Sequence, residues 1–250
     1  MLRIEQLEFQ YDDQRVLQPM TLRFERGKLY TLIGRSGSGK TTLLHLLSGL
    51  LQPTKGAVYW NELRVERPLR EMSYVFQRPN VLEWKTVEEN VLLPYRMKRK
   101  VTRDVQKRAQ QLLEIVGLQS KRHRYPEELS GGERARVAIA RALVTNPRLL
   151  LMDEPFSALD AWTKESLQRM LLRIQKEMEV TIIFVTHDIE EAVFLSDHCF
   201  VLHEGTIVYE WKNEEQLEVR NDRYRQEAIE AYEILRYYLS YPSFFYSACF

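Results

Sequence analysis

The chain has 250 residues, 44% of them hydrophobic and 28% charged, with a formal net charge of +1. That length can bury a sizeable core within one domain, and the near-neutral balance argues against broad electrostatic binding to nucleic acid. No apolar run nears the roughly 20 residues that span a bilayer. The opening "MLRIEQLEFQ" lacks a secretory pattern, and Cys199 and Cys249 lack metal-ligand spacing. The expectation is an intracellular soluble protein in a reducing compartment.

In chain order, "LRIEQLEF" alternates apolar and polar residues as a half-buried strand does. "MTLRF" and "KLYTLI" follow as strands, then the glycine-rich "GRSGSGK", then a leucine-rich helix in "TTLLHLLSGLL". "GAVYW" and "EMSYVF" read as further strands. From about 86 to 145 the pattern is helical: Thr86 with Glu89 marks a capped start, and "DVQKRAQQLLEIVGL" is amphipathic and closed by Gly117. Strands "RLLLMD" and "VTIIFV" flank a long helix over about 161–178, and both are apolar enough for a parallel sheet covered on two faces. The segment 78–145 is expected to be a helical insertion in one α/β domain. The aromatic end, "YEILRYYLSYPSFFYSACF", reads either as a last helix packed on the body with a frayed terminus or as a surface for a partner.

The stretch "GRSGSGKT", residues 34–41, fits a phosphate-binding loop between a buried strand and a helix. Its glycines let backbone N–H groups wrap phosphate oxygens, and the helix points its positive end at the same anion. Lys40 can reach the β- and γ-phosphates, and the Thr41 hydroxyl can ligate Mg²⁺. The competing reading is a flexible glycine turn. "LLLMDEP" ends a buried strand in two acids: Asp153 stands where such a protein needs a Mg²⁺ carboxylate, and Glu154 where it needs a group to polarise the attacking water. The plain alternative is a strand ending in solvated charges. "VTIIFVTHD" places His187 at another strand end, where it is either a γ-phosphate contact or a surface histidine beside the cap formed by Asp188 and Glu191.

"ELSGGERARVAIARAL", residues 128–143, sets a puzzle. Ser130 with Glu133 is a capping box, yet Gly131 and Gly132 each cost about 1 kcal/mol against alanine inside a helix. Taken together and in this order, "GRSGSGKT", "LSGGE", "LLLMDEP", "SALD" and "VTHD" strongly resemble the ATPase subunit of ABC transporters over about residues 2–210. The resemblance implies an α/β P-loop NTPase core with a mostly parallel sheet, an N-terminal antiparallel β region and a helical subdomain insertion. The whole chain, 1–250, would be one ABC ATPase domain with the subdomain at about 78–145 and an aromatic helical tail at about 222–250.

By the same resemblance, Gly34, Arg35, Ser36, Gly37, Ser38, Gly39, Lys40, Thr41 and Thr42 bind ATP, and Tyr11 stacks on its adenine. Thr41, Gln77 and Asp153 hold Mg²⁺. Glu154 is the general base, His187 the γ-phosphate switch, and Gln77 a sensor of the metal and the permease. Ser130, Gly131, Gly132 and Asp160 act on ATP held by the opposite copy, which would explain the glycine pair. The partners implied are a second ATPase subunit, transmembrane permease subunits and, indirectly, a solute-binding protein, with the chain peripheral on the cytoplasmic face of the membrane.

The stretch "VFQRPNVLEWKTVEENVLLP", residues 75–94, is similar to importers of the nitrate, sulfonate and taurine type, a group that also takes up pyrimidine precursors of thiamine. Val81, Leu82 and Trp84 could line an apolar groove for the permease or belong to the core. Glu83 departs from the proline usual in that group, and Glu133 from a common glutamine. Competing readings are a non-transport member of the superfamily acting on DNA, an exporter ATPase, and a small-molecule P-loop kinase. The first lacks its usual coiled-coil or zinc insertion between Gln77 and Leu129, and the last would not need "LSGG".

Overall fold

A computed structural model describes residues 1–98, 100–213 and 226–240, with only the backbone for 226–229. The chain divides into two compact units, Met1–Leu69 with Thr181–Phe250, and Arg70–Val180.

In the first unit, β1 (Leu2–Tyr11), β2 (Gln14–Phe24), β4 (Lys55–Trp60) and the short β5 (Leu63–Arg64) form an antiparallel sheet in the order β2-β1-β4-β5. The expected alternation of β1 breaks at Gln6, which adopts φ +46, and beyond it Leu7, Glu8 and Phe9 are buried in succession. A bulge there re-aims the strand. The second sheet of this unit runs β10-β9-β3-β8, where β3 is Leu29–Ile33, β8 Thr181–Thr186, β9 His198–His203 and β10 Thr206–Lys212. β3 pairs in parallel with β8 and β9, and every residue of β3 and β8 is buried. The β9–β10 hairpin turns at Glu204 and Gly205, both at positive φ, as a two-residue hairpin turn requires.

Helix α1 (Lys40–Ser48) follows β3, and α7 (Ile189–Leu195) follows β8. Helix α8 (Gln226–Ser240) buries Ala231 and Leu235 in a cluster with Ala192, Val193, Cys199 and Val201, and Tyr238 stacks on Tyr209 at 4.1 Å. This described part of the tail packs on the body of its own unit. Residues 222–225 and 241–250, including Pro242 and Cys249, lie outside the described residues.

In the second unit, β6 (Met72–Val75) pairs in parallel with β7 (Leu149–Asp153). The expected helical run is divided into α2 (Val87–Val91), α3 (Leu93–Arg96), α4 (Arg103–Ile115) and α5 (Gly131–Leu143), with single 3₁₀ turns at Gln119–Lys121 and Pro126–Glu128. Breaks fall where the chain chemistry places them: Pro94 opens α3, Pro126 opens a 3₁₀ turn, and Gly117 closes α4 at φ +72. Thr86 and Glu89 make the expected capping box. Helix α6 covers Ala161–Met178, and α5 turns Val137, Ile139 and Leu143 into the core.

Candidate active site

The loop between β3 and α1 is shaped by close approach. A Cβ at Gly34 would lie 2.3 Å from the Leu202 carbonyl oxygen, and one at Gly39 would lie 2.7 Å from Leu17 Cδ2 at a φ of +100. Only glycine satisfies both. The β9–β10 hairpin braces the loop, since Gly205 N–H donates to the Ser38 carbonyl at 3.2 Å. That supporting role of Leu202 and Gly205 has no motif in the sequence.

Lys40 is buried, and its ammonium donates to the carbonyls of Gly34 and Arg35 at 2.8 and 2.9 Å. The cation is thus held against the loop it would serve. Gly39 caps α1 without a side-chain hydrogen bond, and no acid occupies the first turn, so the positive helix end is not neutralised from within α1. Ser38 Oγ is buried and has no hydrogen-bond partner among the described residues. A buried orphan hydroxyl inside a glycine cradle, with a lysine and a helix start that carries no acid of its own, fits a polyphosphate. Arg35, Ser36 and Gly37 are exposed along the loop, Thr41 is exposed in the first turn of α1, and Thr42 is half-buried. Tyr11, at the end of β1, is 49% exposed and packs edge-on against Phe9, which leaves ring surface for stacking.

Register brings His187 to this loop's edge of the sheet. Ile33 lies opposite Thr186 in the parallel β3–β8 pair, so Gly34 and His187 leave adjacent strand ends in the same direction. His187 is exposed. Asp188 caps α7, accepting from the N–H groups of Glu190 and Glu191 at 3.0 and 3.3 Å. Glu191 joins that cap through its N–H, and its carboxylate accepts from the Thr186 hydroxyl.

The second unit repeats the pattern. Val75 lies opposite Met152 in the β6–β7 pair, so the segments carrying Gln77 and Asp153 leave the same edge. Asp153 is only 8% exposed and accepts a hydrogen bond of 3.4 Å from the Tyr74 hydroxyl. Glu154 adopts φ +43, unusual for a side chain of that size, and its carbonyl accepts from both the N–H and the hydroxyl of Ser157. Gln77 is exposed, and its amide donates to Ser157 Oγ at 3.5 Å.

Also in this unit, Ser130 accepts from Glu133 N–H at 3.2 Å, while Glu133 accepts from Ser130 N–H at 3.0 Å. Burial works against the Glu133 charge, but Lys121 at 2.6 Å and Ser130 outweigh it and hold the carboxyl below its usual range. The two glycines differ. A Cβ at Gly132 would meet Thr163 Cγ2 at 2.3 Å, whereas one at Gly131 would make only ordinary contact with Leu159. Thr163 in turn donates its N–H and hydroxyl to Asp160, the cap of α6, at 3.0 and 2.7 Å. Packing within the chain therefore explains Gly132 and leaves the exposed Gly131 without a steric reason.

The loop before α2 is braced from two sides. Asn90, fully buried, accepts from Leu82 N–H and donates to the carbonyls of Leu82, Lys85 and Thr86. Arg141 donates to the carbonyls of Pro79 and Asn80. Trp84 is 73% exposed, which rules out a core role for it in this chain; Val81 and Leu82 are half-buried. Glu83 reaches Arg134 at 3.9 Å.

A glycine loop closed on a buried lysine between a parallel strand and a helix defines a P-loop nucleotide-binding protein. The family described as ABC transporter matches residues 17–157. The nitrate import ATP-binding protein NrtD of Synechococcus elongatus is 39% identical over 230 residues, 88% of this chain and 84% of that protein. The taurine import ATP-binding protein TauB of Escherichia coli is 40% identical over 82% of this chain and 80% of its own length. The aliphatic sulfonates import ATP-binding protein SsuB of Bacillus cereus is 41% identical over 75% and 73%. Among solved structures, the dimeric post-hydrolysis state of the cassette MJ0796 bound to ADP and Pi matches at TM-score 0.75 and 31% identity, covering 85% of this chain and 98% of that one. The chain cbiO1 from Clostridium perfringens, part of the transporter complex cbiONQ, matches at TM-score 0.78 and 26% identity over 96% and 95%. The chain belongs to the ABC transporter family and is an ATP-binding ATPase of it.

Proposed function

We propose that this ATPase energises import of a small organic or anionic solute, of the nitrate, sulfonate, taurine or thiamine-precursor kind, through a separate membrane permease. The observation that carries this reading is the 39–41% identity to three import ATP-binding proteins over most of the chain. The cargo itself touches the permease and not this chain.

Each half of the site has a role in this proposal. Residues 34–42 wrap the phosphates, Lys40 turns from the loop carbonyls to the β- and γ-phosphates, and Tyr11 stacks on adenine. Mg²⁺ would be held by Thr41, Gln77 and Asp153, a hydroxyl, an amide and a carboxylate, which is the hard oxygen set that ion prefers. When bound, it neutralises charge on the phosphate oxygens. Glu154 orients and polarises the attacking water, and His187 contacts the γ-phosphate. Ser130, Gly131, Gly132 and Asp160 complete the site on a second copy; Gly131, free of any packing demand in its own chain, lets backbone N–H approach phosphate there.

The working assembly is then a homodimer on two permease subunits, docked at the loop that carries Trp84, with a solute-binding protein reaching only the permease. No helix among the described residues is long and apolar enough to cross a membrane, which suits a peripheral subunit on the cytoplasmic face. We read 1–250 as one ATPase domain, with about 78–145 as its helical subdomain and about 222–250 as an added tail.

Two variants test the chemistry. Lys40→Ala should lose nucleotide binding or at least about a hundredfold in hydrolysis rate. Glu154→Gln should bind ATP with unchanged affinity and hydrolyse it at least about a hundredfold more slowly. Wild-type turnover in either variant would strip the substituted residue of its proposed role.

A further inference from the structure

Glu191 is an acid buried to 3% exposure on α7 that no step above uses. Its Oε2 accepts a short hydrogen bond from the hydroxyl of Thr186, itself buried at the end of β8. The same hydroxyl oxygen accepts the Asp188 N–H at 3.0 Å. Asp188 then accepts two amides of the first turn of α7. Hydrogen bonds thus anchor the backbone on both sides of His187, at Thr186 and at Asp188, while the histidine side chain is exposed. A buried carboxylate is costly unless its hydrogen bonds do something that a packed apolar residue could not. In this turn the carboxylate orients a hydroxyl, and the hydroxyl sets the passage from strand to helix.

We propose that Thr186 and Glu191 are positioning residues for His187, a hydroxyl–carboxylate pair that fixes the imidazole's backbone so that its ring meets the γ-phosphate. This rests on the His187 role proposed above. Shape matters in it more than charge: Thr186→Ser and Glu191→Gln keep a donor and an acceptor, whereas Thr186→Val and Glu191→Leu remove them. A misplacement of about 1 Å can cost on the order of a hundredfold in rate.

The test measures ATP affinity, kcat and the imidazole resonances of protein labelled with ¹³C at its five histidines, with His187→Ala identifying the peak. Expected in Thr186→Val and Glu191→Leu are a loss of about tenfold or more in kcat, ATP affinity within about twofold, and a moved or broadened His187 resonance beside four unchanged ones. Thr186→Ser and Glu191→Gln should hold near wild-type values. A wild-type kcat in His187→Ala would overturn the histidine's role itself. A disabled His187→Ala with normal kcat and an unmoved His187 resonance in Thr186→Val would overturn the positioning pair alone. Thr186→Val exchanges near-isosteric side chains, so the result stands even if Glu191→Leu fails to fold.

Discussion

Tyr74 and Asp153 sit on paired strands, and the phenol hydroxyl reaches the carboxylate at 3.4 Å. Burial, reinforced by the Asp153 charge, pushes the Tyr74 pKa well above its ordinary value, so the phenol remains a donor at any working pH. If Asp153 holds Mg²⁺ as proposed, such a partner orients a metal ligand, and losing one costs roughly 10–100-fold in metal affinity. Tyr74→Phe is expected to raise the half-saturating Mg²⁺ concentration for ATP hydrolysis by about tenfold, with kcat at saturating Mg²⁺ preserved. An unshifted Mg²⁺ titration would show that the hydrogen bond does not serve Asp153. The roles proposed for Asp153, Glu154 and His187 are suggested by the sequence because each lies at the end of an apolar strand, and that of Lys40 because it closes a glycine-rich loop into a helix. Tyr74, Asn90 and Thr163 are not legible there, since their partners are set by strand register and helix packing that no local pattern encodes.

Among the elements, the start of α5 carries two functions that can be separated. Gly132→Ala drives a methyl into Thr163 and should destabilise the protein by about 1–3 kcal/mol in urea unfolding. Thr163→Ser removes the opposing methyl while keeping the hydroxyl bond to Asp160, so it should restore stability to the double variant. No recovery would mean that the clash is not what demands glycine at position 132. The loop before α2 offers a second separation: Trp84→Ala should keep its fold, since the side chain is exposed, and lose co-purification with the permease. Undisturbed association would move the docking surface elsewhere. Strands β3, β7 and β8 could be read directly, because uninterrupted apolar runs admit few other fates. The β9–β10 hairpin escaped because its Glu204–Gly205 turn lacks the usual Asn-Gly or Asp-Gly signal. The division of the helical stretch followed prolines and a glycine whose effect depends on how each turn is packed.

At the scale of the whole molecule, the phosphate loop with His187 belongs to one compact unit, and Gln77, Asp153, Glu154 and the glycine pair belong to the other. A second copy enters the proposal through the family resemblance, and the chain's own packing, which accounts for Gly132 but not for Gly131, is consistent with it. Motif order was enough to place the family, because five short segments of distinct chemistry rarely share one chain in that sequence. Cargo was not legible, because in the proposed assembly the permease and not this chain meets it. The most direct measurement is the sedimentation mass of Glu154→Gln with and without Mg²⁺–ATP. The proposal requires a shift from the 29.8 kDa chain to about twice that mass when ATP is bound and not hydrolysed. A variant saturated with ATP that stays at single-chain mass, beside a wild type that turns over as a monomer, would contradict it.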